Sequence, residues 1–289
     1  MSETILVTGA GGLIGRAVVQ KLVSLRHDVV GITRKPGPGC IVADLAAEDT
    51  DLHRLVGKPR AIIHLAAAVP HAAESPDTLA SAALTRRIDQ KVAAAARKWE
   101  AKVIYVSTAG LYDPFDVSLK RENSAIKIRS PYFAAKRDGE LLFSQIAPAL
   151  IFRVSAPYGP GLRRNLILAK MIAKARRGEL LEIWGNGTRE QDFVASADLG
   201  DLIAYGALSN RSGIYNAAAG RPLTMLQLAT LIVKALKSGS IAVGTAPDAF
   251  DNATARYDIT SVSKTFDWKP VHELAGDVRS LDPAEFRND

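Results

Sequence analysis

A tyrosine and a lysine four positions apart, Tyr132 and Lys136, have the spacing in this chain that most directly suggests chemistry. On a helix, residues four apart lie on the same face. A nearby ammonium favours the phenolate and so lowers the pKa of a phenol, which would make Tyr132 an acid/base for an alcohol/ketone pair near neutral pH. Thr108 ends an earlier apolar run beside Ser107 and could hold the reacting oxygen. These residues predict alcohol–ketone redox chemistry, with Thr108, Tyr132 and Lys136 as the catalytic residues.

A glycine-rich stretch, TGAGGLIG at residues 8–15, directly follows the apolar run 5–7. Gly9, Gly12 and Gly15 are spaced three apart. Residues without a Cβ allow a turn to bring its backbone against a ligand, and the positive end of a following helix suits a pyrophosphate. The alternative is a tight strand-to-helix turn without a ligand. We predict a dinucleotide site.

Apolar, β-rich runs alternate with helical patterns through the first half of the chain. The runs are apolar throughout, which indicates strands buried on both faces. The predicted fold class is therefore α/β, with a Rossmann-like doubly wound parallel sheet. The predicted strands are 4–8, 29–33, 41–43, 61–66, 102–107 and 150–154, and the predicted helices are 14–25, 79–99 and 132–147.

A cluster of prolines and glycines at residues 157–161 marks a change in the pattern. Beyond it we predict helices at 166–177, 199–208 and 225–237 and a short strand at 181–184. We expect residues 1–156 to form an NAD(P)-binding Rossmann domain. Residues 157–289 would form a smaller C-terminal α/β substrate-binding lobe, interleaved with the first domain and partly returning to it.

Composition narrows the function classes. The formal charge of the 289-residue chain is +7, but its basic residues are scattered in pairs, so we expect a solvated basic surface, compatible with small anionic ligands, and no nucleic-acid partner. The N-terminus lacks a signal-peptide pattern and no apolar run reaches about eighteen residues, which predicts a cytoplasmic protein without a membrane part. The single cysteine, Cys40, excludes an intrachain disulfide framework, and no His/Cys cluster has metal-ligand spacing, so no metal is expected.

Together with later motifs, these features resemble the extended short-chain dehydrogenase/reductases of the NAD(P)-dependent epimerase/dehydratase family, of the type that modifies nucleotide sugars. The resemblance covers nearly the whole chain. The matching segments are TGAGGLIG at 8–15, Asp44-Leu45, HLAA at 64–67, STAGLY at 107–112, Y-x-x-x-K at 132–136, R-x-x-x-x-Y-G-P-G at 153–161, G-x-G-x-x-x-x-D-F-V at 185–194, Y-N-x-x-x-G at 215–220, Asp258, Ser263-Lys264 and W-x-P at 268–270.

The resemblance implies a role for each matching residue. Tyr132 would be the acid/base, Lys136 would bind the ribose and tune Tyr132, and Thr108 would bond the reacting oxygen. It also implies a homodimer built from helices 79–99 and 132–147. The implied cofactor-binding residues are Gly9, Gly12, Leu13, Ile14, Gly15, Arg34, Asp44, Leu45, Leu65, Ala66, Ala67, Ser107, Tyr132, Lys136 and Pro157, and the implied substrate-binding residues are Thr108, Tyr132, Asn165 and Arg189.

The residues after the second predicted strand concern the choice of cofactor. Relatives that prefer NAD resemble each other in placing an acidic residue there, against the ribose hydroxyls. This chain has Arg34-Lys35. Because a guanidinium pairs with a 2′-phosphate, we expect NADP, with NAD as the alternative.

The residues after Thr108 concern the reaction. Members that dehydrate sugars have an Asp-Glu pair there, whereas this chain has Ala109-Gly110, which argues against a 4,6-dehydratase. The Cys and His of members that epimerise beside a ketone are also unmatched. We expect a nucleotide-sugar 4-ketoreductase. The alternatives are an NAD-dependent C4-epimerase resembling UDP-glucose 4-epimerase, an oxidoreductase of a non-nucleotide sugar or hydroxy/keto compound, and a non-catalytic NADP(H) sensor.

Two departures from the family pattern concern the substrate. Ala156 stands where nucleotide-sugar members commonly have Asn, and Gln191 stands where they often have an Arg that holds the diphosphate. Arg189, or Arg163 or Arg164, could replace that charge. Structural roles are expected for the remaining motif residues, which are His64, Asp192-Phe193, Asp198, Tyr215-Asn216 and Trp268.

Overall fold

The computed structural model describes residues 4–71, 75, 77–146 and 148–288. Most strands lie in one sheet, and the others form three small two-stranded pairs. In chain order, the strands are β1 (Ile5–Thr8), β2 (Val29–Thr33), β3 (Cys40–Val42), β4 (Ala61–His64), β5 (Lys102–Thr108), β6 (Ala149–Val154), β7 (Ala156–Tyr158), β8 (Leu180–Ile183), β9 (Glu190–Gln191), β10 (Phe193–Ala195), β11 (Gly213–Ala217), β12 (Leu223–Thr224) and β13 (Ser240–Val243).

Helices separate most of these strands. They are α1 (Leu13–Ser24), α2 (Leu52–Leu55), α3 (Thr78–Trp99), α4 (Pro131–Ser144), α5 (Ile167–Arg176), α6 (Ser196–Leu208), α7 (Met225–Leu236), α8 (Thr260–Phe266) and α9 (Leu274–Asp277), with 3-10 turns at Ala109–Leu111 and Pro283–Glu285.

The central sheet has seven strands in the order β11-β6-β5-β4-β1-β2-β3, and every pair in it is parallel. The predicted Rossmann-like α/β fold is therefore confirmed. The chain runs outward from β1 to β2 and β3, then crosses to β4 on the other side of β1. The order thus reverses between β1 and β4, and a crevice at such a switch point, beyond the carboxyl ends of the strands, is where ligands bind in open α/β sheets.

Helices cover both faces of the sheet. Because side chains alternate along a strand, Ile5 and Val7 of β1 pack into the core with α1 and α6, whereas Leu6 packs into the core with α3 and α4. All three are fully buried. Burial on both sides explains why this run is apolar throughout rather than alternating.

A second core lies in the later part of the chain, where α5 and α7 pack with the β8–β13 pair. Between α6 and α7 the chain returns to the central sheet, because β11 pairs with β6. A capping box, in which Thr224 and Gln227 each bond the other's backbone N–H, begins α7.

The predicted element ends differ from the observed ones by a few residues. Strand β8 ends at Ile183 rather than at Trp184, which is exposed. Helix α4 ends at Ser144, and Ala147 of the predicted helix lies outside the described residues. The start of α4 has a clear cause: Ser130 accepts a hydrogen bond from the Phe133 N–H, and Pro131 occupies the first turn.

Candidate active site

The glycine turn is packed too tightly for side chains at two of the three glycines that are spaced three apart. Gly9 has a φ of +69°, and a Cβ there would lie 2.8 Å from the Ala66 nitrogen. At Gly15 a Cβ would lie 2.2 Å from the Gly9 carbonyl oxygen. The turn therefore closes against the end of β4, and α1 begins within the glycine-rich stretch, with Leu13, Ile14 and Gly15 in its first turn. This places unbonded N–H groups of a helix start at the switch point, an arrangement that fits a dinucleotide pyrophosphate.

A series of buried hydrogen bonds holds the residues that lie against the glycine turn. Thr8 Oγ1 accepts bonds from the Leu65 and Ala66 N–H groups, at 3.3 and 3.2 Å, so its own proton goes to His64 Nδ1 at 2.7 Å. The other ring nitrogen of His64, Nε2, therefore carries the proton and donates to Asp89 Oδ1 at 2.9 Å. His64 is thus fully bonded.

Asp89 connects the hydrogen bonds of Thr8 and His64 to α4, the helix that carries Tyr132 and Lys136. Its other carboxylate oxygen accepts from the Tyr105 hydroxyl at 3.0 Å, and the Lys136 Nζ lies 4.1 Å from the centre of the Tyr105 ring. The sequence patterns did not single out Asp89. It connects His64, which supports the glycine turn, to Tyr105, which lies against Lys136.

Lys136 is buried, and its Nζ donates to the Val106 carbonyl oxygen at 2.7 Å. Burial lowers the pKa of Lys136 because it disfavours the ammonium, while the Asp89 and Glu140 carboxylates act in the opposite direction.

Burial, more than nearby charge, sets the pKa of Tyr132 in this structure. The Tyr132 side chain is only partly buried overall, yet burial of its hydroxyl raises the pKa to about 12. Arg163 opposes that rise and Asp89 adds to it, whereas Lys136 is not among the groups that shift it. Burial therefore outweighs the nearby positive charge at Tyr132, and the tuning of its pKa by Lys136 stays a prediction.

Thr108 ends β5 near the start of α4. Its Oγ1 accepts from the Gly110 N–H at 3.0 Å, a bond that leaves the hydroxyl proton able to donate to a substrate oxygen. A Cβ at Gly110 would lie 2.6 Å from the Phe133 ring. The packing of Phe133 therefore favours glycine at position 110. Ser107 is buried and its hydroxyl has no hydrogen bond of normal geometry, although it is close enough to Glu140 to help lower the pKa of that carboxyl.

A buried ion pair fixes α4 to β6. Arg153 and Glu140 are both almost fully buried and form two parallel bonds, at 2.8 and 2.9 Å. Arg153 also donates to the Tyr112 hydroxyl and to the Glu122 carbonyl oxygen. Burial alone would raise the pKa of Glu140, but the bonds and charge of Arg153 bring it below its ordinary value. Sequence motifs marked Arg153 and Tyr112 but not Glu140.

The other predicted cofactor residues lie around the same edge of the sheet. Arg34 follows β2 and is exposed, and the end of β2 lies beside the turn, because a Cβ at Gly11 would be 2.8 Å from Thr33 Oγ1. Asp44 is exposed and accepts from the Ala46 N–H. Leu45 is buried, Ala67 is partly buried after β4, and Pro157 is partly buried in β7.

The predicted substrate residues outside the catalytic group have partners within the protein. Asn165 donates to the His71 carbonyl oxygen at 2.9 Å. Arg189 forms an ion pair with Asp248 at 3.5 Å, so its charge is already partly balanced.

The residues expected to be structural make internal contacts. Asp192 accepts from Ser155 Oγ and from the Ala219 and Arg221 N–H groups, and Asp198 accepts from the N–H groups of residues 271 and 272. Burial raises the pKa of both carboxyls against these bonds. Trp268 is buried in the main core, and its Nε1 donates to the Asp198 carbonyl oxygen.

Comparison with known proteins decides the family. The profile described as the NAD dependent epimerase/dehydratase family matches residues 5–218, about three quarters of the chain. The chain belongs to this family. The prediction of an NAD(P)-dependent enzyme of the extended short-chain dehydrogenase/reductase type is thereby confirmed.

Relatives within the epimerase/dehydratase family differ in activity. The UDP-glucose 4-epimerase of Mycolicibacterium smegmatis is 26% identical over 304 residues, which cover 93% of this chain and 94% of that protein. The dTDP-4-dehydro-6-deoxy-D-allose reductase of a Streptomyces species is 27% identical over 312 residues, covering 95% and 94%. The solved structure of MoeE5 in complex with UDP-glucuronic acid and NAD has a TM-score of 0.85 at 22% identity, covering 96% and 97%, and supports the fold.

The described part of the chain was also compared with the patterns of membrane spans and metal sites. Among the described residues, no helix is both long and apolar enough to cross a membrane. The same part of the chain contains no group of three or more His, Cys, Asp or Glu residues arranged to hold a metal ion.

Proposed function

We propose that this protein reduces the keto group of a nucleotide-linked sugar with NADPH, as a nucleotide-sugar 4-ketoreductase. The observation that carries the proposal is the basic end of β2 beside the glycine turn. Arg34 and Lys35 are exposed there, and the sequence between the end of β2 and Asp44 contains no carboxylate. A guanidinium matches a 2′-phosphate, whereas a carboxylate would bond the ribose hydroxyls of NAD.

The acid/base state of Tyr132 supports reduction. With a pKa of about 12, its hydroxyl carries a proton at neutral pH and can donate it to a ketone oxygen. When bound, the nicotinamide supplies the hydride to the carbonyl carbon. The hydride and the Tyr132 proton together convert the ketone to an alcohol. Arg163 lowers the pKa of Tyr132 and therefore eases the proton transfer.

Two further residues would position the reactants. The Gly110 N–H uses only a lone pair of Thr108 Oγ1. The hydroxyl proton of Thr108 is therefore available to bond the reacting oxygen of the substrate. Lys136 lies on the same helix as Tyr132, and its ammonium would bond the ribose of the cofactor. The match to the Streptomyces reductase, which covers 95% of this chain, is consistent with this assignment.

A C4-epimerase is the second candidate, favoured by the equally complete match to the mycobacterial UDP-glucose 4-epimerase. It would need the same three catalytic residues, but with a retained NAD and with Tyr132 first taking a proton from a sugar hydroxyl. A protonated Tyr132 and a basic β2 end fit that requirement less well.

The test is an assay of both reactions with one preparation. Purified protein is mixed with NADPH or NADH and a dTDP- or UDP-linked 4-keto-6-deoxysugar, and separately with UDP-glucose. We expect NADPH-dependent loss of reduced-nicotinamide absorbance. Tyr132→Phe should lower this rate by roughly 100-fold or more while the Kd for NADPH stays unchanged. The matched control is Tyr205→Phe, on α6, which should keep full activity.

Three results would contradict the proposal. Formation of UDP-galactose by protein that retains NAD through purification would identify the epimerase. Turnover of free keto-sugars alone would identify a non-nucleotide substrate, for which the apolar Ala156 leaves room. NADPH binding without turnover of any keto-sugar would identify a sensor.

A further inference from the structure

The C-terminal tail is held against the segment that follows β7. The Arg287 N–H donates to the Leu162 carbonyl oxygen at 2.9 Å, and the Arg287 carbonyl oxygen accepts from the Arg164 N–H at 3.0 Å. The Arg164 Nε also donates to the Phe286 carbonyl oxygen at 2.8 Å, and the Phe286 ring is buried in the second core. The position of Arg287 is therefore set by backbone bonds on both sides and by the packing of its neighbour.

From this position the Arg287 side chain reaches the glycine turn. Its Nη1 donates to the Gly11 carbonyl oxygen at 2.8 Å, across 276 positions of sequence. Gly11 is also the residue whose absent side chain would meet Thr33 at the end of β2. Arg287 thus lies at the turn, close to the strand end that precedes Arg34.

A second arginine directly follows the same turn, and its side chain is fixed by a bond to the segment after β7. Arg16 directly follows Gly15 in α1, and its Nη2 donates to the Pro160 carbonyl oxygen at 2.6 Å. A Cβ at Gly161, which has a φ of +81°, would lie only 1.8 Å from that nitrogen. Glycine is therefore required at 161 for Arg16 to occupy this place.

These arginines concentrate positive charge at the start of α1. Burial lowers the pKa of Arg287, and the charges of Arg16, Arg163 and Arg34 lower it further. No carboxylate contributes to that shift, and the ion pairs found among the described residues include none with Arg16, Arg34 or Arg287. Like charges held together repel each other unless an anion joins them, and the helix start adds to the positive potential.

We propose that Arg287 and Arg16 form a cationic clamp for the pyrophosphate of the dinucleotide, with Arg287 supplied by the C-terminal tail. The inference rests on the proposed function only in requiring that the protein bind NAD(P). Guanidinium groups bond phosphate oxygens in pairs and lose little conformational freedom when their side chains are already positioned. The tail is thus part of the cofactor site, although family motifs place that site in the first half of the chain.

Removing Arg287 and removing Arg34 should affect cofactor binding differently. The pyrophosphate is common to NADPH and NADH, so loss of Arg287 should weaken both cofactors by the same factor. The 2′-phosphate is present in NADPH alone, so loss of Arg34 should weaken only NADPH. The discriminating quantity is therefore the ratio of the two dissociation constants in each variant.

The experiment titrates NADPH and NADH by fluorescence into wild-type protein, Arg287→Gln, Arg34→Gln and Arg279→Gln, at low and high NaCl. Arg279 is a matched control, since it is another tail arginine, whose Nε donates to the Ala235 carbonyl oxygen. We expect Arg287→Gln to raise both dissociation constants roughly tenfold and to reduce their dependence on salt. Arg287→Lys should recover part of the affinity, and Arg279→Gln should match the wild type.

Two outcomes would overturn the inference. One is wild-type affinity of Arg287→Gln for both cofactors. The other is weaker binding with an unchanged salt dependence and no recovery in Arg287→Lys, accompanied by a lower Tm of the cofactor-free protein, because it would mean that the tail only shapes the turn. If the wild-type protein bound neither cofactor, the clamp and the proposed function would both fall. A protein that binds NADPH but reduces no keto-sugar would contradict the proposed function alone.

Discussion

Removing Arg153 should destabilise the protein by leaving the Glu140 carboxylate buried without its main partner. Breaking a buried ion pair from one side costs about 3–5 kcal/mol. Arg137, at 2.8 Å and one-third exposed, remains beside Glu140 and places the expected loss at the lower end, about 3 kcal/mol. A chain of 289 residues has an unfolding entropy of about 0.6 kcal/mol/K, so Arg153→Met should lower Tm by about 5 °C.

The assay is differential scanning calorimetry of Arg153→Met, the double variant Glu140→Gln/Arg153→Met and the control Arg137→Met. The double variant should recover part of the loss, because the unpaired charge is gone. Arg137→Met should cost less than about 1 kcal/mol, since its partly exposed side chain is screened by solvent.

The stability that the Arg153–Glu140 pair contributes should also depend on pH. In the wild type the pKa of Glu140 is lowered, so the pair stabilises the fold above the ordinary glutamate pKa and this contribution is lost as pH falls through the lowered value. In Arg153→Met, burial should raise the pKa of Glu140 instead. The loss of stability relative to the wild type should therefore shrink as pH falls toward about 4 to 5. A Tm unchanged within about 1 °C, or a double variant less stable than the single one, would refute this reasoning.

Three further predictions concern the site and the assembly. Because Tyr132 stays protonated well below its pKa of about 12, the rate of NADPH-dependent reduction should be flat between about pH 6 and pH 9, and a fall with an apparent pKa near 7 would contradict this. Gly15→Ala should raise the Kd for both cofactors at least about tenfold in fluorescence titrations, because its Cβ would lie 2.2 Å from the Gly9 oxygen; Gly276→Ala, with open space around it, is the control. The exposed leucines 79 and 84 on α3 and 141 on α4 should lie in a homodimer interface, so sedimentation at micromolar concentration should give a dimer that Leu141→Asp converts to monomer; a wild-type monomer would contradict the prediction.

The sheet and the glycine turn could be predicted because local patterns determine them. A strand buried on both faces has to be apolar throughout, as β1 is, and a turn pressed against β4 has to lack a Cβ at Gly9. The small pairs β7–β10 and β9–β12 could not be predicted, since strands of two or three residues carry no periodicity.

The features that the sequence did not reveal depend on contacts between distant residues. Asp89 is one of many polar residues on a long helix until folding brings His64 and Tyr105 to its two oxygens. The pKa of Tyr132 depends on burial and on Arg163, neither of which the spacing to Lys136 could indicate. The contact of Arg287 with Gly11 joins the two ends of the chain.

The central claim, hydride transfer from NADPH to a keto-sugar with proton donation by Tyr132, is tested most directly by isotope transfer. The protein is incubated with NADPH deuterated at C4 of the nicotinamide and a nucleotide-linked 4-keto-6-deoxysugar, and the sugar product is examined by mass spectrometry and NMR. The account predicts one deuterium at C4 of the sugar, with NADPH favoured over NADH and no product from Tyr132→Phe. Absence of deuterium in the sugar, or undiminished product from Tyr132→Phe, would contradict it.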